Sequence, residues 1–71
     1  MTHATRNELF RILAELSEVQ PEVRLGQLIT NLSYLARGLS TEAVWDVDDA
    51  ELLAAARRQL EQWRAKHAAG V

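Results

Sequence analysis

The chain contains no cysteine. Disulfide bridges and thiolate metal sites are therefore excluded, so this short sequence must fold without either kind of staple. Histidine is scarce as well. His3 and His67 lie near opposite ends and form no metal-ligand cluster by spacing. The glycines, Gly26, Gly38 and Gly70, stand alone, so no glycine-rich phosphate loop exists. Neither sign of charge dominates: the net charge is −2 and 25% of residues are charged. That is an ordinary surface, and it gives no electrostatic case for nucleic acid. No apolar run approaches the length of a membrane span. The opening MTHATRNELF lacks the basic-then-apolar order of a signal peptide, so a cytoplasmic location is expected.

What is present is helical periodicity. The 71 residues are read as one domain, 1–71, with 1–4 and 68–71 expected to fray. A domain this small is marginally stable, and self-association is one common remedy. Leu9, Ile12, Leu13 and Leu16 recur at steps of three and four, with Phe10 at the edge of the stripe. Thr5 and Glu8 have the spacing of a capping box. These features predict a first helix over about 6–18.

Pro21, the one proline, stops that helix and suits the first turn of the next. The run PEVRLGQLITNLSYLARG is the longest amphipathic stretch, with Leu25, Leu28, Ile29, Leu32, Leu35, Ala36 and Leu39 at helical spacing. A second helix is predicted over about 21–37, ending at Gly38 with Arg37 at its negative end. Gly26 has two readings. Either the regular helix starts only near Leu25, or another element approaches the backbone there. With so short a connection, the first two helices must cross sharply or run antiparallel.

After Gly38, Ser40 and Thr41 could cap a single turn through Ala43, or Val44–Val47 could be extended; a four-residue strand has no partner, so an irregular acidic loop before the third helix is expected, with Trp45 plugging one end of the core. An exposed anchor is the other reading of Trp45. Asp48 and Glu51 make a second capping box, with Val47 and Leu52 placed for a hydrophobic staple. The third helix is predicted over about 49–66, with Gly70 beyond its end. The expected architecture is an all-α three-helix bundle around Leu13, Leu16, Leu28, Leu32, Leu53, Leu60 and Trp63.

Arg24, Gln27 and Asn31 fall at i, i+3 and i+7, and Tyr34 continues the stripe. Such a row beside a small core most often satisfies local groups; the sharper reading is a surface for a peptide or partner helix. Five of the ten acids lie between Glu42 and Glu51, including Asp46 and Asp48. Acids gather at a helix N-terminus, and the spacing does not match a calcium loop, so no metal or other cofactor is expected. Arg57, Arg58, Arg64 and Lys66 point in different directions around their helix and are expected to be solvated or paired a turn away. Thr30, Ser33 and Tyr34 have no histidine near them by helical spacing, so no catalytic site is expected.

The segment Pro21-Glu-Val-Arg-Leu-Gly-Gln-Leu-Ile-Thr-Asn, followed by Asp48-Asp-Ala-Glu-Leu, resembles a group of short uncharacterised bacterial proteins. Their shared features are a P-x-x-R-x-G-Q-L-I-x-N segment and then a D-D-x-E-L segment. The resemblance covers 21–53 and implies a bacterial origin, without an activity. It suggests one physical link: Arg24 binding a carboxylate of the Asp46–Glu51 segment, with Asn31 on its backbone. The function expected is a non-catalytic protein–protein interaction or self-association module, acting through Arg24, Gln27, Asn31, Tyr34, Trp45, Asp46 and Asp48. The alternatives are a nucleic-acid or regulatory accessory protein and a metal-dependent enzyme using the acidic loop.

Overall fold

The computed structural model describes residues 3–69. Four helices follow one another: α1 His3–Val19, α2 Leu25–Arg37, the single turn α3 Ala43–Asp46, and α4 Asp49–Ala69. No strand occurs among the described residues, so the fold is all-α. None of these helices is long and apolar enough to cross a membrane.

α1 begins at His3, earlier than the capping pattern implies. Thr5 therefore lies inside the helix and cannot act as its N-cap, a role that belongs to the residue just outside. Glu8 is used differently and pairs with Arg11 and Arg57. Of the residues expected to fray, 3–4 and 68–69 have helical backbone, while 1–2 and 70–71, with Gly70, lie outside the described residues.

α2 begins at Leu25 and not at Pro21, which sits in the turn between the helices. The Val23 N–H donates to the Gln20 carbonyl at 3.1 Å in that turn. Arg24 is the N-cap with extended backbone, φ −69 and ψ 149. Its N–H donates to Gln27 Oε1 at 3.0 Å, so Gln27 supplies one half of a capping box. Gly26 falls in the first turn, and a Cβ built there would meet nothing within 4 Å. The close-approach reading of Gly26 is thereby removed. Gly38 does need to be glycine: its φ is 86 and ψ 170, a region that side chains exclude. Its N–H closes the helix on the Tyr34 carbonyl at 2.7 Å.

The segment expected to be irregular contains α3. Ala43 anchors it at 1% exposure, and the Val47 N–H donates to the Ala43 carbonyl at 3.0 Å. α4 starts with the expected box. The Glu51 N–H donates to Asp48 Oδ1 at 2.8 Å, and the Asp48 N–H returns to Glu51 Oε1 at 3.1 Å. Leu52 is in the core, and Val47 is half-buried against that core.

α4 is the hub, lying against both α1 and α2. Its partners on α1 ascend with it, Arg6 to Asp49, Glu8 to Arg57 and Glu15 to Arg64, so these two helices run parallel. Arg37, at the end of α2, meets Glu51 near the start of α4, so α2 runs antiparallel. The core joins Leu9, Ile12, Leu13 and Leu16 to Leu28, Leu32, Leu52, Leu53 and Leu60, with Ala55 and Ala56 permitting close helix approach. Each fully buried leucine contributes roughly 1.5–3 kcal/mol. Trp63 is half-buried at the rim and not in the core; its ring stacks on His67, with centroids 3.8 Å apart. Buried Ser33 is satisfied by donating to the Ile29 carbonyl at 2.8 Å.

Candidate interaction surface

The polar stripe of α2 divides on inspection. Gln27 caps the helix by accepting the Arg24 N–H. Asn31 is exposed, and Tyr34 is half-buried. Both border a groove of about 430 Å³ that runs beside α2 from Val23 to Leu39 and takes Gln59 of α4 as its far wall. A second, shallow depression of about 660 Å³ lies over Gly26, Gln27, Thr30 and Asn31. Arg24 is exposed and joins no ion pair among the described residues.

Arg24 does not meet the acidic segment. It precedes the first residue of α2, while α3 and the start of α4 follow the last. Thirteen helical residues, roughly 18 Å of rise, separate them. Arg37 makes the contact instead, with Nη1 3.0 Å from each Glu51 carboxylate oxygen. The acids are consequently occupied in part. Asp48 and Glu51 cap α4, and Asp49 pairs with Arg6 at 2.8 Å. Among the described residues no group of three acids or histidines is placed to hold a metal ion.

The bases of α4 are also placed differently from expectation. Arg57 reaches Glu8 at 2.9 Å, and Arg64 pairs with Glu15, both across to α1. Arg11 joins the two acids within α1, at 2.5 Å from Glu8 and 3.4 Å from Glu15. The result is a ladder of alternating sign, Arg57–Glu8–Arg11–Glu15–Arg64, along one seam of the bundle. Hydrogen bonds from Arg11 and then Arg57 lower the Glu8 carboxyl from 4.5 to about 2. The Glu8 carboxylate in turn raises the Arg11 guanidinium above its ordinary value. Two of the four bases that could have contacted nucleic acid are thus held by carboxylates.

The feature most at odds with expectation is Trp45, which is 90% exposed. It does not plug the core. α3 turns Ala43 inward, and the indole projects away from the bundle. Leu39, just past the end of α2, is 87% exposed, and Val44 and Leu35 are exposed in part. α2 and α3 pack together, and these side chains stand exposed at the end of α2 and on α3, an apolar corner of the fold of which Leu35 and Leu39 line the groove. Glu42 and Asp46 are exposed on the same turn as Trp45. Leu39 was counted in the α2 stripe by its spacing. Its position after Gly38 was the available sign that the stripe had already ended.

The chain matches no protein-family model, no curated protein and no solved structure. The class defined by its architecture is a small all-α domain with an apolar corner facing solvent.

Proposed function

We propose that this chain is a non-catalytic protein–protein interaction module, bacterial and cytoplasmic, acting through the corner of Leu39, Val44 and Trp45. The observation that carries the reading is the 90% exposure of Trp45. Tryptophan offers more apolar contact area than any other side chain and is enriched where binding energy concentrates. Leaving it in water beside Leu39 forgoes several kcal/mol of burial that a partner can supply. The bacterial assignment rests on the resemblance of 21–53 to short bacterial proteins.

Placing a photo-crosslinking residue at position 45, and separately at exposed Gln62 on α4, tests this in bacterial cells. The expected result is discrete adducts from position 45 and none from position 62. Equal, diffuse labelling at both sites would overturn the reading.

A further inference from the structure

We propose that the groove beside α2 receives a short extended peptide segment of another protein, held along its backbone by the side chains of Gln20, Asn31, Tyr34 and Gln59. The site is separate from the corner that carries the reading above, because Val44 and Trp45 do not line it. The two can therefore fail independently.

Buried Leu28 and Leu32 form the apolar floor of the groove. Its polar side chains come from three places: Gln20 after α1, Asn31 and Tyr34 on α2, and Gln59 on α4. Gln20, Tyr34 and Gln59 are half-buried, and Asn31 is exposed. Among the described residues none of these four side chains makes a hydrogen bond. Other uncharged polar groups of α2 do have partners: Gln27 accepts the Arg24 N–H, and Ser33 donates to the Ile29 carbonyl. The groove thus gathers polar groups that the fold itself leaves unused. A ligand that displaces their water has to replace those hydrogen bonds.

The chemistry of the lining selects the occupant. A carboxamide both donates and accepts, and so does a phenol. An extended peptide offers the matching groups, a free N–H and a free C=O at each residue, whereas a helix has already used its own. Alternate side chains of the same segment fall on one face and meet the leucine floor. α2 is 13 residues long, roughly 20 Å, which spans about six extended residues. No charged residue lines the groove, so nothing there meets a phosphate backbone. A second copy of this chain lacks the required segment among its described residues. Its connections 20–24, 38–42 and 47–48 are five residues or fewer. The first two are held in turns by Val23 N–H to the Gln20 carbonyl and Ala43 N–H to the Ser40 carbonyl.

The test pans a phage library of random linear heptapeptides against the full chain and, in parallel, against Asn31→Ala with Gln59→Ala. Alanine suits both helical positions, and circular dichroism reports that the variant is folded. The parent is expected to enrich uncharged sequences with apolar residues at alternate positions. A synthetic peptide of enriched sequence should bind the variant about tenfold more weakly. It should also shift the side-chain NH2 signals of Gln20, Asn31 and Gln59 in NMR spectra. N-methylation of its central backbone amides should weaken it by a similar factor. No enrichment, equal binding to parent and variant, or a selected peptide that binds as a helix would overturn the inference. Binding lost on Trp45→Ser but unchanged in the Asn31 and Gln59 variant would overturn it and leave the corner as the docking site. A molar mass that doubles with concentration while shifting the same NH2 signals would place a second copy in the groove and overturn it as well.

Discussion

Arg37 and Glu51 tie the end of α2 to the start of α4, and the same Glu51 carboxylate closes the cap of α4. Arg37 Nη1 lies 3.0 Å from both Glu51 oxygens, while Glu51 Oε1 accepts the Asp48 N–H at 3.1 Å. One side chain thus sets both where α4 begins and which end of α2 faces it. Glu51→Gln keeps an acceptor for the cap and loses the ion pair, so it should cost about 0.5 kcal/mol, as exposed pairs do. Glu51→Ala loses both and should cost about 1–1.5 kcal/mol. Denaturant midpoints of the two variants separate the contributions; no loss in Glu51→Gln would show that the pair contributes nothing, and equal losses that the cap does not.

The ladder between α1 and α4 predicts an acid sensitivity. Glu8 is lowered from 4.5 to about 2 in the folded chain. The unfolded chain therefore binds more protons between those values, and stability rises with pH across that window. Equivalently, the contribution is fully present above about 4.5 and is lost as pH falls toward 2. Glu8→Gln should melt lower than the parent near neutrality and converge on it near pH 2. High salt should narrow the difference as well, since the seam is exposed.

Gly26 and Gly38 should respond in opposite directions to alanine. Gly26 sits in a helical turn with open space around its Cα, so Gly26→Ala should stabilise by roughly 0.5–1 kcal/mol. Gly38 holds φ at 86, so Gly38→Ala should destabilise by about 1–3 kcal/mol. Thermal melts of both variants check the pair. A loss at Gly26 would mean that a neighbour does approach its backbone.

Trp45 should be dispensable for folding. Trp45→Ser is expected to change stability by no more than about 0.5 kcal/mol, whereas Leu16→Ala, at a site with 0% exposure, should cost about 2–5 kcal/mol. Trp63→Phe leaves Trp45 as the one tryptophan. Its emission should then resemble that of free tryptophan and be readily quenched by acrylamide. A blue-shifted, protected signal would place the indole in an interface in solution.

Local patterns carried most of the fold. The stripe Leu9–Ile12–Leu13–Leu16, the Asp48–Glu51 box and the stop at Gly38 are written within single helices, where a spacing of three or four needs no distant partner. The candidate site was less legible for the same reason. Gln27 could be read either as satisfying a local group or as part of a recognition stripe, because its spacing was visible and its bond to the Arg24 N–H was not. Arg57 and Arg64 looked solvated because Glu8 and Glu15 stand 49 positions away.

The sequence by itself determined that this chain is helical, where α4 starts and which faces of α1 and α4 are apolar, because helical periodicity and capping are short-range. Only the tertiary structure decided which way α3 faces. Ala43 docks at 1% exposure, and residues two apart on a helix point about 200° apart, so burying Ala43 turns Trp45 out to solvent. No spacing within the segment specifies that choice. It depends on which small side chain fits the surface that α3 packs against, and that surface exists only once the helices have assembled.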